Sequence, residues 1–308
     1  MRAMTFNIRG SFHRDGKNSW PHRRDLNVST IKKQDPDIIA FQEVQEGNFC
    51  DYKHSLCDDY SHVVGHVCDR DMQWNLLDLC DLWKESESFS GAMWNIHSHI
   101  FSNIGESCQQ DEHAPIYWKK ERFVELNNGA FYLSQTPDTK SVGWESQLIR
   151  AATWVILKEK ASGAEFIVLN THYPHERHEA TRSECSLVIL QQLTTLAPDL
   201  PHIVMGDFNC HASPQCDAYS FFVRNGYQDT YKDSKRINTF HNFEGDRCSI
   251  NLGRIDWILI KNQPSSEEPK AEVFVNSEAQ IVRDAEPPIF PSDHYPIVAD
   301  LGLATISS

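Results

Sequence analysis

The sequence lacks any run of about 18 consecutive apolar residues, the length that crosses a bilayer as a helix. A membrane span is therefore not expected. The first eight residues, MRAMTFNI, also lack the basic start and apolar centre of a signal peptide, and they read instead as a strand. We expect a cytoplasmic protein, with a signal removed before this numbering as the alternative.

Positive charge is also scarce. The 308 residues include 29 Lys and Arg against 43 Asp and Glu, which gives a formal net charge of −14. Proteins that hold long duplex DNA carry a basic face that neutralises its phosphates. The few basic clusters are Arg23-Arg24, Lys32-Lys33 and Lys119-Lys120 with Arg122, and we expect several of them on solvated faces. The balance favours a small or short substrate.

Several signatures of catalysis and metal binding are missing. There is no G-x-S-x-G elbow, no H-E-x-x-H helix and no Walker loop, so nothing indicates a covalent intermediate. There is no C-x-x-C pair among the nine cysteines, five of which fall at 50, 57, 68, 80 and 108. We expect reduced, structural cysteines, with disulfides or a zinc site as alternatives.

Apolar patterning predicts many strands and few helices. Strands are predicted at 2–8, 38–42, 151–158, 164–170, 202–206, 255–260, 271–275 and 296–301. Helices are predicted at 24–34, 176–196 and 214–225. This pattern indicates an α+β fold rather than a regular βαβ alternation. Residues 1–308 are predicted to form a single domain, with an inserted segment at about 69–111.

Short polar motifs follow several of these strands, where a rigid scaffold holds functional groups. They are Asn7 in TFNIRG, Glu43 in FQEV, His172 in NTH, Asp207 and Asn209 in GDFN, Asp256 in GRIDW, and Asp293-His294 in SDH. Any one of them alone would usually be a turn residue. Together they suit phosphoryl chemistry, because carboxylate and amide oxygens bind Mg²⁺ or Mn²⁺, and a histidine paired with a carboxylate is a positioned donor.

The motifs and their order resemble the endonuclease/exonuclease/phosphatase superfamily, from TFNIRG at 5–10 to SDHYPIVADL at 292–301. GDFN followed by a terminal SDH is the most specific pair. The resemblance implies a deoxyribonuclease I-like fold, a four-layered α/β sandwich of two packed, mostly antiparallel β-sheets flanked by helices. It also implies a Mg²⁺- or Mn²⁺-dependent hydrolase that acts on phosphodiesters or phosphomonoesters.

The resemblance implies a role for each motif. Asn7 and Glu43 match the metal-binding pair, and Asp293 a second metal or water contact. Asp207 matches the residue that activates water, with Asn209 beside it orienting the phosphate. His294 matches the catalytic histidine that contacts the phosphate and Asp256 the carboxylate that orients it, while His172 matches a further phosphate contact. Asn7 is also a candidate substrate contact.

Within the superfamily the chain looks most like a bacterial-type branch of uncharacterised hydrolases. The shared features are DGKNSW at 15–20, PIYW at 115–118 with Arg122-Phe123, and LSQTPD at 133–138. Arg150 matches an arginine of that branch and would either clamp a phosphate or form a structural ion pair. One departure is Tyr173-Pro174-His175, where the branch carries an acidic residue.

Four functions remain open at this stage. A phosphoesterase acting on a phosphorylated small molecule, lipid head group or short nucleic acid is favoured. A nuclease, a sphingomyelinase-like lipid phosphodiesterase and a non-catalytic interaction protein on the same fold are the alternatives. The last is disfavoured because each catalytic position holds a chemically competent residue. The oligomeric state is not indicated.

Overall fold

Two six-stranded sheets, packed face to face, form the centre of the protein. The computed structural model describes residues 1–65, 112–175, 178–233, 237–262 and 274–303. The insertion predicted at about 69–111 lies outside these residues, and the single-domain organisation stays a prediction. None of the described helices is long and apolar enough to cross a membrane.

The first sheet contains both chain ends. Its strands are β1 (Arg2–Asn7), β2 (Ile38–Gln42), β3 (Tyr60–Val63), β4 (Ile116–Lys119), β11 (Phe274–Ile281) and β12 (Ile297–Leu303). Their order across the sheet is β11-β12-β1-β2-β4-β3, and β1 with β2 is the one parallel pair in it.

The second sheet has a matching plan. Its strands are β5 (Phe123–Tyr132), β6 (Ala151–Glu159), β7 (Glu165–His172), β8 (His202–Asp207), β9 (Gln228–Asp229) and β10 (Asp256–Lys261). Their order is β5-β6-β7-β8-β10-β9, and the central pair β7 and β8 is again parallel. Both sheets are mixed but mostly antiparallel, as predicted.

Four described helices cover the outer faces. They are α1 (Trp20–Gln34), α2 (Glu46–Leu56), α3 (Glu179–Leu196) and α4 (Asp217–Arg224). Trp20 and Tyr52 pack against the first sheet, and Ile189 and Phe222 pack against the second. Each such buried apolar side chain contributes about 1.5–3 kcal/mol. The layers run helix, sheet, sheet, helix, which confirms the predicted four-layered sandwich.

Three differences from the predicted elements have physical reasons. Helix α1 begins at Trp20 rather than at 24, because Pro21 suits the first helical turn. Strand β5 was not predicted, because this edge strand exposes half of its ten residues and lacks a long apolar run. The short strands β3, β4 and β9 and helix α2 were not predicted either. Strand β11 starts at Phe274 and extends to Ile281, past the predicted end at 275.

Cys50 corrects the expectation of reduced cysteines, because it is disulfide-bonded. A disulfide needs its two Cβ atoms about 4 Å apart, which spacing along a sequence cannot show. The cysteines at 57, 185, 210, 216 and 248 are free.

Strand register brings the first group of polar residues to one edge of the first sheet. Asn7 ends β1 opposite Gln42, which ends the parallel strand β2, and Glu43 follows. Strand β12 runs antiparallel to β1, so Asp293 and His294, which precede it, meet the carboxyl end of β1. The parallel pair explains why residues 36 positions apart in sequence become neighbours.

The second sheet repeats this arrangement. His172 and Asp207 end the parallel strands β7 and β8 in the same register, and Asp256 begins antiparallel β10 opposite Asp207. A Cβ at Gly206 would lie 2.2 Å from the carbonyl oxygen of Thr171, so only glycine allows β7 and β8 to approach this closely before Asp207.

Buried amides join the two sheets directly beneath that edge. Asn170 Nδ2 donates to the carbonyl oxygens of Phe41 and Pro115 at 2.7 and 2.9 Å. Gln42 Nε2 donates to Asn170 Oδ1 at 2.7 Å. Fully buried polar groups with satisfied hydrogen bonds fix one relative position of the sheets. The two groups of polar residues therefore face each other across a defined gap.

Candidate active site

A cavity of about 1170 Å³ opens at this shared edge. Its lining includes Glu43, Arg150, His172, Asp207, Asn209, Asp293 and His294. Asn7 and Asp256 lie behind it, each hydrogen-bonded to a residue that lines it. The structure thus brings together all the residues that the sequence motifs singled out.

Asp207 lies at the centre and is 1% exposed. Its Oδ2 accepts a hydrogen bond from Asn7 Nδ2 at 2.9 Å, and its Oδ1 accepts one from the Asn209 N–H at 2.9 Å. Burial, followed by the charge of Asp256, raises the pKa of Asp207 to about 7, against the opposing effect of His294. A carboxylate with a pKa near neutrality is suited to accept a proton from water.

His294 and Asp256 form a buried pair beside Asp207. His294 Nδ1 lies 3.0 Å from Asp256 Oδ2, and His294 Nε2 lies 3.8 Å from Asp207 Oδ2. Burial alone would lower the pKa of His294, but the charges of Asp256 and Asp207 outweigh it and raise the pKa to about 10. The imidazole is therefore protonated at neutral pH, so both nitrogens are donors.

Replacing Asp256 by asparagine is expected to remove most of this pKa shift. In the metal-free wild type, an NMR titration of histidine ring signals should show His294 protonated until pH approaches 10. In Asp256→Asn it should titrate at a clearly lower pH, because burial then opposes only the charges of Asp207 and Asp293. The pKa of His294 is higher in the folded protein than in the unfolded chain. Protonation of His294 therefore contributes fully to the free energy of unfolding below about pH 6.5, and this contribution is lost as pH rises through 10.

The exposed Asp199→Asn provides a matched control and should leave the His294 titration unchanged. Identical His294 titrations in the wild type and Asp256→Asn would contradict the electrostatic pairing of these two residues.

His172 is held in one tautomer by Arg150. Its Nδ1 lies 3.2 Å from Arg150 Nη1, and because arginine can only donate, Nδ1 must be the acceptor. Burial and then the charge of Arg150 lower the pKa of His172 well below its usual value. The neutral ring therefore carries its proton on Nε2, which lies 3.5 Å from Asp207 Oδ2 and points this donor into the site.

Arg150 also forms an ion pair. Its Nη1 donates to Glu112 Oε2 at 2.7 Å, while the guanidinium lines the cavity. Its Nε atom is buried and has no hydrogen-bond partner among the described residues. The sequence left two alternatives for Arg150, a structural ion pair or a contact with phosphate. Arg150 forms the ion pair and also lines the cavity.

The cavity is lined by more positive charge than the acidic sequence suggested. Its basic side chains are Arg9, Arg14, Lys140, Arg150 and Arg182, which come from dispersed positions rather than from the clusters seen in the sequence. Arg23, from one of the sequence clusters of which several were expected on solvated faces, is buried. Its guanidinium donates to the carbonyl oxygens of Ile8 and Pro291.

Three residues that line the cavity have left-handed backbone conformations. Arg9, Glu43 and Asn209 have φ values of 55°, 59° and 50°. Residues other than glycine rarely adopt this backbone conformation, and the strain that it causes concentrates at functional sites. The backbone strain in the turns after β1, β2 and β8 therefore lowers local stability. Each of these turns places a polar side chain at the cavity.

The oxygen donors around Glu43 suit a hard divalent cation. Glu43 and Asp293 are acidic, buried or nearly so, and line the same cavity. Asn7 Nδ2 donates to Glu43 Oε1 at 2.9 Å, whereas Asn7 Oδ1 accepts the Arg9 N–H at 3.0 Å. In this orientation Asn7 bridges Glu43 to Asp207. Its oxygen has a second lone pair with which it could bind a cation.

Two residues at the site were missed by sequence reasoning. His13 Nε2 lies 3.5 Å from Glu43 Oε2, and Glu112 contacts Arg150 and His172. Neither belongs to a distinctive motif. For Glu112 the missing signal was strand β4, which was not predicted; it pairs antiparallel with β2 and so brings the residues before β4 to those after β2.

The strand order and the buried polar edge define the class as a deoxyribonuclease I-like α/β sandwich. A profile of the Endonuclease/Exonuclease/phosphatase family matches residues 4–294. The chain therefore belongs to the endonuclease/exonuclease/phosphatase family, whose hydrolases act on phosphoester bonds. This confirms the resemblance inferred from the motifs.

Solved structures support the assignment. A family protein from Bacteroides vulgatus is 27% identical, with a TM-score of 0.73 and 98% of both chains covered. A mannosyl-6-phosphatase from Bacteroides thetaiotaomicron is 23% identical, with a TM-score of 0.72 over 98% of this chain and 100% of that chain. The catalytic domain of human Nocturnin is 20% identical, with a TM-score of 0.67 over 99% and 93%. The last two show a shared fold.

Proposed function

We propose that the protein is a divalent-metal-dependent phosphoesterase that hydrolyses a small or short phosphorylated substrate by in-line attack of water. The observation that carries this proposal is the convergence of Asp207, the protonated His294–Asp256 pair and the Glu43 carboxylate on one cavity with basic lining. In that cavity the carboxylates would bind a cation and accept a proton from water, while the hydrogen-bond donors would bind the phosphate.

Glu43, Asp293 and Asn7 would hold the cation, with Mg²⁺ or Mn²⁺ as the ions that suit oxygen donors. When bound, it neutralises charge on the phosphate oxygens and stabilises the leaving oxygen. The carboxylates of Glu43 and Asp293 lie close enough for the charge of Glu43 to raise the pKa of Asp293, after the larger effect of burial. A bound cation would offset that repulsion.

The protein's own residues would divide the remaining work. Asp207, with a pKa near neutrality, takes the proton of the attacking water. His294 and the Nε2–H of His172 donate to phosphate oxygens, whose charge grows in the transition state. Asn209 holds Asp207 through its backbone N–H and lines the cavity beside it, where it orients the phosphate.

The substrate class follows from charge and shape. The basic groups lie within the cavity of a chain whose net charge is −14, so long-range attraction of a duplex is not provided. A similar structure from Bacteroides is a mannosyl-6-phosphatase, which suits a phosphorylated small molecule.

The sequence predicts a cytoplasmic location. The disulfide at Cys50, in contrast, favours an oxidising compartment.

A nucleotide or short nucleic acid is the second candidate. Phe12 and Phe240 line the cavity together with the polar residues. Aromatic faces stack on bases with little sequence preference, at about 1–3 kcal/mol per base. A sphingomyelinase-like activity and a non-catalytic role have no comparable support among the described residues.

Arg150→Lys is expected to raise KM by about tenfold with a smaller change in kcat. Lysine keeps the positive charge but loses the planar pair of donors that fits a phosphate. Steady-state kinetics on the best substrate would measure the effect, with the exposed Arg224→Lys as the matched control. An unchanged KM, with the variant folded, would restrict Arg150 to its ion pair with Glu112.

A substrate panel tests the proposed function. Purified protein with excess Mg²⁺ or Mn²⁺ would be assayed on a generic phosphodiester, a phosphomonoester, single-stranded DNA, RNA and sphingomyelin, each with and without chelator. Metal-dependent turnover on a small ester would support the first candidate, and preference for DNA or RNA would favour the second. No turnover by folded, metal-bound protein would favour the non-catalytic alternative.

A further inference from the structure

A mixed group of nitrogen and oxygen donors lies on one side of Glu43. One ligand atom each of His13, Glu43 and Glu112 lies within 4.8 Å of the other two. His13 Nε2 is shielded from solvent and makes no hydrogen bond to the described residues, although it lies 3.5 Å from Glu43 Oε2. A shielded imidazole nitrogen between two carboxylates is a metal-binding arrangement as well as an ion-pairing one.

The loop that carries His13 is fixed to the segment that follows Glu43. The Phe12 N–H donates to Gln45 Oε1 at 2.9 Å, and the Ser11 N–H donates to Asn48 Oδ1 at 2.9 Å. A Cβ at Gly10 would lie 2.3 Å from Gln45 Oε1, so a larger residue there would displace the side chain that accepts this hydrogen bond. Movement of His13 relative to Glu43 is therefore restricted.

Glu112 is fixed to the same segment from the other side. Its neighbour His113 forms a β-bridge with Val44, with N–O distances of 2.8 and 3.1 Å. Arg150 Nη1 binds Glu112 Oε2, and a carboxylate has a second oxygen with which to bind a cation. The backbone beside His13 and beside Glu112 is thus held by contacts with the segment 44–48, which directly follows Glu43.

The two oxygens of Glu43 face different partners. Oε1 accepts the hydrogen bond from Asn7, whereas Oε2 lies opposite His13 and 3.3 Å from the Gly10 N–H. The His13 side chain is 30% exposed and that of Glu112 24% exposed, so an ion could enter from the cavity. A cation at Oε2 would leave the Asn7 bridge to Asp207 intact.

We propose that His13 and Glu112 complete the ligand set of the cation at Glu43 and make this site prefer Mn²⁺ to Mg²⁺. This inference rests on the proposed function, since it extends the metal site assumed there. Mg²⁺ prefers oxygen ligands and retains its waters, whereas imidazole binds first-row transition ions more strongly. Neither residue was among the ligands expected from the sequence motifs, which were Glu43, Asn7 and Asp293.

The test uses full-length protein loaded with Mn²⁺, whose paramagnetism reports its ligands directly. Electron spin echo envelope modulation should show ¹⁴N coupling from imidazole in the wild type, and this coupling should be absent in His13→Gln. Titration of the protein with Mn²⁺, followed by the electron paramagnetic resonance signal of unbound Mn²⁺, should show the affinity for Mn²⁺ lowered by at least about tenfold in His13→Gln and in Glu112→Gln. Competition with Mg²⁺ should show that His13→Gln loses most of the preference for Mn²⁺.

Controls separate this inference from the proposed function. Exposed His54→Gln and Glu121→Gln should bind Mn²⁺ as the wild type does, and thermal unfolding would verify the fold of each variant. If Mn²⁺ binding requires Glu43, shown by its loss in Glu43→Gln, but ¹⁴N coupling persists in His13→Gln, only the His13 assignment fails. Wild-type affinity in Glu112→Gln would overturn that residue's assignment. Mn²⁺ binding that is absent, or indifferent to Glu43→Gln, would overturn both proposals.

Discussion

Asp207→Asn is expected to lower kcat by about a hundredfold or more, with little change in substrate binding. Asparagine keeps the size and one acceptor oxygen, so it can retain the hydrogen bond from either Asn7 or the Asn209 N–H but not both, and it cannot take a proton from water. Loss of a positioned general base typically costs 10²–10⁴-fold in rate, about 3–5 kcal/mol of transition-state stabilisation. Steady-state kinetics at saturating Mg²⁺ or Mn²⁺ would measure it.

Exposed Asp199→Asn is the matched control, and it should retain wild-type kinetics. Because Asp207 is buried with a raised pKa, Asp207→Asn removes the cost of burying a carboxylate charge, which offsets the lost acceptor, and the variant should be folded at neutral pH. A folded Asp207→Asn that turns over at the wild-type rate would exclude Asp207 as the proton acceptor.

His294→Ala is expected to lower kcat/KM by about a hundredfold or more as well. The variant loses a protonated donor that is held by Asp256 and is directed at the cavity, and removal of one such donor typically costs 10²–10³-fold. The effect should fall mainly on kcat if His294 contacts the phosphate most strongly in the transition state.

The exposed His22→Ala serves as the control for this second variant. His294→Ala combined with Asp256→Asn should be little slower than His294→Ala alone, because Asp256 acts through the histidine. Strictly additive losses, or near-normal activity of His294→Ala, would contradict the assigned pair.

Which polar residues meet at the candidate site could be predicted because each belongs to a short motif at the end or the start of a predicted strand. Asn7, Glu43, His172 and Asp207 all end strands, and parallel neighbours bring their carboxyl ends to one edge. Asp256 begins an antiparallel strand, so it reaches that edge from the opposite direction. The motifs therefore indicated which residues meet, although not their separations or protonation states.

Other features depended on contacts that no local pattern reveals. The charge of His294 depends on two carboxylates 38 and 87 positions away in sequence, and the tautomer of His172 depends on Arg150. His13 and Glu112 reach Glu43 only because loop and bridge contacts position them. Charge counting also failed locally, because the basic residues of the cavity come from separate loops and from helix α3.

Metal-dependent hydrolysis of a phosphoester is tested most directly by one rate measurement. Protein stripped with chelator would be assayed on a small phosphoester before and after addition of Mg²⁺ or Mn²⁺, with Asp207→Asn treated identically. We predict no turnover without metal, restored turnover in the wild type, and at most about one hundredth of that rate in the variant. Full activity in chelator, or equal rates for the two proteins, would contradict the proposed mechanism.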